Sequence, residues 1–387
     1  MYIAILGRQP NLGMAELERL YGAENTAWFS PDSATVEATD FFVERLGGTQ
    51  KAGKIIAEFP NGDWHRISMQ LVNYYRRHWD SAQGKITLGI SAYGFKTSPR
   101  DVQKTGIILK QKLKEAGISL RLVPNADTSL NTAVSHHNKL GLSANKVELL
   151  VVKASDGRVC IAESIGAQNI TSLARRDQGR PKRDAFVGML PPKLAQIMIN
   201  LAPTKPGGRV LDPFCGTGVI LQEAALLGYA VYGTDLSEKM IRYSHDNLAW
   251  LKDAYHISFN QDLYVGDAME TIWEQPIDAV ACESYLGQPF SAPPSPEKLD
   301  QVRKNCNHII STFLKNISSQ LQPGTPLCVG VPAWKNSQGQ FTHLPLIKSV
   351  GDFGFSVVSF KNTDVHGLLY YREDQIVARE LLVLVKK

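Results

Sequence analysis

One stretch of the chain, VLDPFCGTGVILQEAALLGYAVYGTD at residues 210–235, restricts its fold more than any other. The pattern predicts a strand, a glycine-containing turn, a helix and a second strand that ends in a carboxylate. Such a unit usually holds an adenosine-containing cofactor against the N-terminus of the helix. Two cofactors of this kind are candidates: a nicotinamide dinucleotide and a methyl donor.

The turn itself favours the methyl donor. A dinucleotide turn has the spacing GxGxxG, in which the third glycine lets the helix approach the strand. Gly216 and Gly218 fit this spacing, but the third position holds the bulky Leu221. The charge of Asp212 would repel a pyrophosphate and attract the ammonium and sulfonium of S-adenosylmethionine, by about 4 kcal/mol at about 4 Å and an effective permittivity near 20. The turn therefore predicts S-adenosylmethionine as the cofactor.

Two further carboxylates follow at the ends of predicted strands. Asp235 comes 17 residues after Gly218 and can accept hydrogen bonds from both hydroxyls of an adenosine ribose. The alternative for Asp235 is to cap the helix that begins SEKMI. Asp267 is placed to meet the adenine amino group, with Ala268 beside it in the predicted cofactor site, although Asp267 could equally serve as a turn residue.

Charge is distributed unevenly along the 387 residues. Residues 51–184 carry 22 basic and 11 acidic side chains, whereas residues 1–50 carry 3 and 7 and residues 185–387 carry 17 and 19. A concentrated positive charge predicts a polyanionic partner, most often a nucleic acid. The five cysteines are scattered without a CxxC pair, which indicates reduced thiols in a cytoplasmic protein and predicts no metal site. Neither a membrane span nor a signal peptide is expected.

The densest basic segment is ARRDQGRPKRD, which lies just before the regular second half of the chain. Clustered basic residues on the approach to a cofactor domain predict contacts with phosphates, although a solvated linker would have a similar composition. The candidate RNA-binding residues are Arg175, Arg176, Arg180, Lys182 and Arg183.

From Pro191 onward, strand-like and helix-like segments alternate regularly, which predicts an α/β domain with a mostly parallel sheet. The strand-rich tail after residue 353 predicts an antiparallel addition at the edge of that sheet. Residues 1–170 mix strands and helices in the manner of smaller α+β units.

With DPFCGTG in place, the second half resembles the Rossmann-like class I S-adenosylmethionine-dependent methyltransferases. Most of the chain is similar to the THUMP-containing tRNA guanine-N2 methyltransferases of archaea and eukaryotes, above all in LPPKLA and LDPFCGTGVILQEAALLG. The resemblance implies a ferredoxin-like domain at 1–60, a THUMP-like RNA-binding domain at 61–172, a basic linker at 173–190 and a methyltransferase domain at 191–387. It also implies tRNA or another structured RNA as partner. The residues that would line the donor pocket are Asp212, Cys215, Gly216, Gly218, Asp235 and Asp267.

The sequence departs from this family where the chemistry occurs. Amino-directed methyltransferases typically carry Asp-Pro-Pro-Tyr at the end of the fourth strand, which accepts the amino hydrogens and stacks on the base. Here the segment is IDAVACESYLGQPF, with Glu283 as the candidate acceptor and Tyr285 as the candidate stacking ring. Three interpretations stay open: methylation of a base amino group such as guanine N2, methylation of DNA adenine, and an RNA-binding protein that has lost or altered its activity.

Overall fold

The computed structural model describes residues 1–79, 84–184, 190–290 and 292–387. These residues form two compact units, one of residues 1–17 and 21–172 and the other of residues 18–20 and 173–387. In the described ranges, no helix is both long and apolar enough to span a membrane.

The first unit is built on one continuous sheet. In the described part of the unit its strand order is β2-β3-β1-β4-β8-β7-β5-β6. The elements are β1 (Tyr2–Leu6), α1 (Pro10–Tyr21), β2 (Thr26–Ser30), β3 (Ser33–Val36), β4 (Thr49–Phe59), α2 (Trp64–His78), β5 (Ile86–Tyr93), α3 (Pro99–Glu115), β6 (Leu120–Leu122), α4 (Thr132–His137), β7 (Lys146–Lys153) and β8 (Val159–Ala167).

The long strand β4 connects the two halves of this sheet, because it pairs with β1 on one side and β8 on the other. A buried ion pair adds a second connection: Lys51 of β4 contacts Glu148 of β7 at 2.5 Å. The sheet therefore continues across residue 60, and the division into domains at 1–60 and 61–172 stays a prediction.

The second unit has the predicted alternation of strands and helices. Its elements are α5 (Ile170–Gln178), α6 (Pro192–Leu201), β9 (Arg209–Asp212), α7 (Val219–Leu226), β10 (Ala230–Asp235), α8 (Glu238–Tyr255), β11 (Gln261–Val265), β12 (Ala279–Glu283), α9 (Pro296–Ser318), β13 (Pro326–Lys335), β14 (Phe341–Thr342), β15 (Phe355–Val357), β16 (Leu369–Tyr370) and β17 (Val377–Lys386).

The main sheet of this unit runs β11-β10-β9-β12-β13-β17-β15. The first five strands are parallel, whereas β17 is antiparallel to both β13 and β15. This arrangement confirms the predicted mostly parallel sheet with an antiparallel C-terminal part. Strand order reverses direction at β9 and β12, and the crevice at such a reversal is where open α/β sheets bind ligands.

Candidate cofactor and catalytic site

The glycine turn follows β9 and is held by the neighbouring elements. Gly216 and Gly218 have φ of 51° and 80°, in the left-handed region that favours glycine. From α8, the Ser244 hydroxyl donates to the Gly216 carbonyl at 2.8 Å and the Asn247 amide donates to the Thr217 carbonyl at 2.8 Å. The turn is therefore fixed before any ligand binds.

The third glycine of a dinucleotide turn is replaced by a glycine on the neighbouring strand. Leu221, on α7, packs over Gly233 of β10, where an added Cβ would lie 2.6 Å from the Leu221 side chain and 3.1 Å from the Cys215 Cβ. The helix thus approaches the sheet closely even though Leu221 is large. The sequence contained this signal in AVYGTD, but its meaning depends on a pairing across the sheet.

Replacing Gly218 with Ala is expected to destabilise the second unit by about 1–2 kcal/mol, because a side chain disfavours the left-handed region. The added Cβ would also lie 2.9 Å from the Ser244 hydroxyl oxygen, so donor affinity should fall as the turn shifts. Gly324→Ala is a matched control, since its φ is 88° and no described atom lies within 4 Å of the added Cβ. Thermal denaturation and calorimetry with S-adenosylhomocysteine measure both effects; equal donor affinity in the two variants would contradict a role for the turn.

Three carboxylates lie on one face of the sheet at the carboxyl ends of the strands. The register pairs Asp212 with Gly233, two residues before Asp235, and pairs Leu211 with Val280, three residues before Glu283. Burial raises the pKa of Asp212 well above its ordinary value, and the nearby charges of Asp235 and Glu283 raise it further. Such a concentration of negative charge favours a cationic ligand.

Asp235 has one backbone partner in the glycine turn and one at the residue just before the following helix. Its two oxygens accept from the backbone N–H groups of Gly216 at 3.0 Å and Ser237 at 2.8 Å. The N-cap of α8 is Ser237, so Asp235 does not cap that helix. A carboxylate has about four acceptor positions, which leaves capacity for ligand hydroxyls. Burial raises the pKa of Asp235 as well.

Glu283 has a partner that sequence reasoning missed. Arg379 of β17 donates from Nε to Glu283 Oε1, and the two side chains are 11% and 15% exposed. The two residues are 96 positions apart in the sequence. No local pattern marks Arg379, because the contact arises only from the order of the strands.

The segment after Glu283 is anchored although it lacks the family's prolines. The backbone N–H and the hydroxyl of Ser284 both donate to the Gly330 carbonyl, at 2.9 and 2.8 Å. Tyr285 is 41% exposed and lines the cavity together with the half-buried Leu286. Gly287 has φ of 80°, and a Cβ there would lie 2.8 Å from the Val302 side chain. Tyr285 is thus placed beside the cavity on a tethered segment.

The cavity has a volume of about 360 Å³ and lies at the strand reversal. Its lining includes six of the predicted site residues: Asp212, Cys215, Gly216, Asp235, Glu283 and Tyr285. Gly218 is not a lining residue itself but lies between two of them, Thr217 and Val219. Asp267 and Ala268 are not among the lining residues. Asp267 accepts from the Met269 N–H at 2.9 Å and so closes a turn, while Ala268 is buried. Burial raises the pKa of the Cys215 thiol, which argues against a nucleophile there.

The basic segment divides into buried and exposed residues. Arg176 is 5% exposed and forms a two-point ion pair with Glu223 of α7, at 2.5 and 3.0 Å. Arg180 is also buried, and burial lowers its pKa. Arg175 is exposed and lies over the rings of Trp250 and Tyr255.

Lys182 is half-buried and lies 3.6 Å from Asp246, whereas Arg183 is exposed. The structure gives Arg176 and Arg180 buried positions, so the RNA-binding prediction for this segment depends mainly on Arg175, Lys182 and Arg183. Residues 185–189, which belong to the predicted linker, lie outside the described residues.

Residues 180–302 match the RMKL-like methyltransferase domain of the UPF0020 family. The chain is 34% identical over 165 residues to a tRNA (guanine(10)-N2)-dimethyltransferase of Methanothermobacter thermautotrophicus, covering 42% of this chain and 45% of that protein. It is 42% identical over 85 residues to a tRNA (guanine(6)-N2)-methyltransferase of Thermus thermophilus, covering 19% of this chain and 25% of that protein. The chain therefore matches less than half the length of these relatives.

Among solved structures, that of TrmN from Thermus thermophilus superimposes over 100% of this chain and 99% of its own, with a TM-score of 0.52 and 18% identity. At that identity the likeness shows the fold alone. Together the comparisons confirm the predicted resemblance to the tRNA guanine-N2 methyltransferases and the predicted fold, in which α+β structure precedes a methyltransferase domain with a mostly parallel sheet.

Proposed function

We propose that the chain, whose residues 180–302 match a methyltransferase domain, is an S-adenosylmethionine-dependent methyltransferase that acts on the N2 amino group of a guanine in tRNA. The observation that carries this proposal is the face of the sheet that brings Asp212, Asp235 and Glu283 to one cavity. The relatives' names supply the substrate: each of the two described above acts on a tRNA guanine.

The residues present fit the donor. The backbone of the turn at Gly216–Gly218 would approach the donor closely. Asp235 would accept hydrogen bonds from the ribose hydroxyls of the donor, and Asp212 would face the positive charge of the donor. S-adenosylmethionine supplies an electrophilic methyl group. The buried position of Asp212 beside the carboxylates of Asp235 and Glu283 is the structural support for this assignment, since it suits a cation and disfavours a pyrophosphate.

The proposed reaction is a direct displacement. A guanine drawn out of the RNA stack enters the cavity, where Tyr285 stacks on its ring and Glu283 accepts an amino hydrogen. The amino nitrogen would thereby be aimed at the methyl group that the bound donor would supply, and after the transfer this nitrogen would release one proton to solvent. Positioning of the nitrogen by Glu283 is the main contribution of the protein to the rate.

The RNA would meet the basic middle of the chain. Residues 51–184 have an excess of 11 positive charges, 22 against 11, which suits a phosphate backbone. Arg175 and Arg183 lie exposed at the end of that region. We place the protein in the cytoplasm, where its five free and buried cysteines would stay reduced.

The test is incubation of the protein with methyl-labelled donor and bulk tRNA, followed by nucleoside mass spectrometry. The proposal requires label in N2-methylguanosine, and competition by tRNA should exceed that by duplex DNA. Label in methyladenosine would replace the proposed base with adenine. An unlabelled RNA pool, with S-adenosylhomocysteine binding intact, would instead favour an inactive RNA-binding protein, the alternative that the ESYLG segment supports.

Donor affinity is expected to rise with pH through Asp212. Its raised pKa means that the ligand-free protein retains this proton to a higher pH than an ordinary carboxyl would. A sulfonium favours the ionised form and releases the proton, so affinity increases by at most about tenfold per pH unit until Asp212 is ionised. S-adenosylhomocysteine lacks the sulfonium and should respond less. Calorimetry with both ligands from acidic to mildly alkaline pH gives the affinity for S-adenosylmethionine relative to that for S-adenosylhomocysteine. A relative affinity that falls as pH rises would refute this role of Asp212.

A further inference from the structure

The contact between Glu283 and Arg379 crosses an intervening strand. Glu283 pairs with Gly330 of β13, and Gly330 pairs with Leu381 of β17. Since side chains alternate along a strand, Arg379 lies on the same face as Leu381, Gly330 and Glu283. Gly330 has no side chain to obstruct that face, so the Arg379 guanidinium reaches over β13 to Glu283. The strand order and one glycine together create the pair.

Arg379 brings a positive charge into a site that holds three carboxylates. The carboxylates of Asp212, from β9, and Asp235, from β10, lie on the same face and share the same cavity. Like charges in one site favour uptake of a proton by one of them, whereas an adjacent guanidinium favours the charged form. Arg379 is 9% exposed, so solvent screens this ion pair only weakly. The guanidinium donates to Oε1 of Glu283 and so fixes this oxygen in place.

We propose that the Arg379–Glu283 pair selects guanine, with Arg379 as the positioning residue that keeps Glu283 an acceptor on both oxygens. The inference rests on the proposed function for its setting and adds the element that recognises the base. A carboxylate is acceptor-only when ionised. It matches a base edge that presents two adjacent donors, and among the amino-bearing bases only guanine does so, through N1–H and N2–H.

Adenine and cytosine present one donor next to one acceptor, N6–H beside N1 and N4–H beside N3. An ionised carboxylate would place one of its oxygens against the accepting ring nitrogen. Neither this oxygen nor the ring nitrogen would then have a hydrogen-bond donor, which costs more free energy than a lost hydrogen bond. Glu283 is one methylene longer than the aspartate of the family's motif, and Arg379 restrains this longer chain. The departure at ESYLG therefore changes how the base is recognised and keeps the amino group as the target.

The test uses nucleosides and does not need turnover. The full-length protein is first saturated with S-adenosylhomocysteine. Saturation-transfer NMR titrations then compare the affinity for guanosine with the affinity for 2,6-diaminopurine riboside. The second nucleoside keeps the 2-amino group but has an acceptor at N1. A well-formed two-point contact discriminates by about 1–3 kcal/mol, so guanosine should bind the wild type at least about tenfold more tightly. Arg379→Gln should reduce this preference to within about threefold, and Arg379→Lys should retain most of it.

Two further variants separate selection from stability. Arg209→Gln removes a comparable arginine–carboxylate pair, with Asp262 at 2.6 Å and 14% exposure of the arginine, at the opposite end of β9, and should leave the preference unchanged. Glu283→Gln should favour the diaminopurine riboside, because the new amide donates to N1. A full preference in Arg379→Gln, no preference in the wild type, or no guanosine signal at millimolar concentration would each overturn the proposal.

Two different outcomes distinguish failure of the proposed function from failure of this inference. Wild-type protein that leaves tRNA unmethylated but prefers guanosine would refute the enzyme and retain the selecting pair. Protein that methylates guanine N2 while Arg379→Gln keeps the full preference would retain the enzyme and refute the pair. In the active protein, Arg379→Gln should lower kcat for tRNA at unchanged donor affinity, and a loss of donor affinity alone would assign Arg379 a purely structural role.

Discussion

Replacing Asp212 with Asn is expected to make the second unit more stable and at the same time to weaken its binding of S-adenosylmethionine at least tenfold. Asp212 is 2% exposed and lies near two other carboxylates, so its charge is costly in the ligand-free protein. Asn has nearly the same shape, and its amide oxygen can still accept from the Phe214 N–H, as Asp212 does at 3.1 Å. The positive charge of the bound cofactor offsets the cost of ionising this buried acid.

The gain in stability should depend on pH in one direction. A buried acid with a raised pKa binds its proton more tightly when folded than when unfolded, so the wild type becomes relatively more stable as pH falls through that pKa. The advantage of Asp212→Asn is therefore largest at pH values above that raised pKa and disappears in acid. Thermal denaturation of the ligand-free protein across this pH range measures it.

Asp262→Asn is the matched control for this experiment, because Asp262 is an accepting carboxylate in the same sheet that pairs with Arg209 away from the cavity. It should lose stability and keep donor affinity. An Asp212→Asn variant that binds S-adenosylmethionine as tightly as the wild type would remove the electrostatic basis for the cofactor assignment, whatever its stability.

The features that could be predicted from the sequence are local ones. The turn around Gly216 and Gly218 and the strand-end carboxylates Asp212 and Asp235 each depend on residues close together in the chain. Their spacing specifies hydrogen bonding and burial directly, because a strand, a tight turn and a helix have fixed periods. The mostly parallel sheet followed from the same alternation.

The features that could not be predicted depend on pairing between distant segments. Arg379 reaches Glu283 only because β17 inserts beside β13, and no periodicity in the tail specifies that order. Arg176 has the composition of a phosphate contact, but its position on α5 directs it to Glu223 of α7. Basic residues chosen by charge alone therefore include some that the fold buries in ion pairs.

Replacing Glu283 with Ala is expected to lower the rate of tRNA methylation by about a hundredfold or more, because a misplaced amino nitrogen loses attack geometry. Donor affinity should change little, since Asp212, Asp235 and the turn are untouched. Single-turnover measurements with labelled donor isolate the transfer step, and calorimetry with S-adenosylhomocysteine shows that the pocket is intact.

Stability must be separated from catalysis in this variant, because Glu283→Ala also leaves the buried Arg379 guanidinium without its carboxylate, and breaking such a pair is destabilising. Asp262→Ala breaks an arginine–carboxylate pair outside the cavity, in which the arginine is 14% and the carboxylate 39% exposed, and should cost some stability but not rate. Glu283→Asp restores the family's residue at that position but shortens the reach to Arg379, so it should retain part of the rate. If Glu283→Ala and Asp262→Ala lost the same fraction of activity, Glu283 would be a structural partner of Arg379, and the acceptor for the amino hydrogens would have to be sought in the backbone carbonyls that follow it.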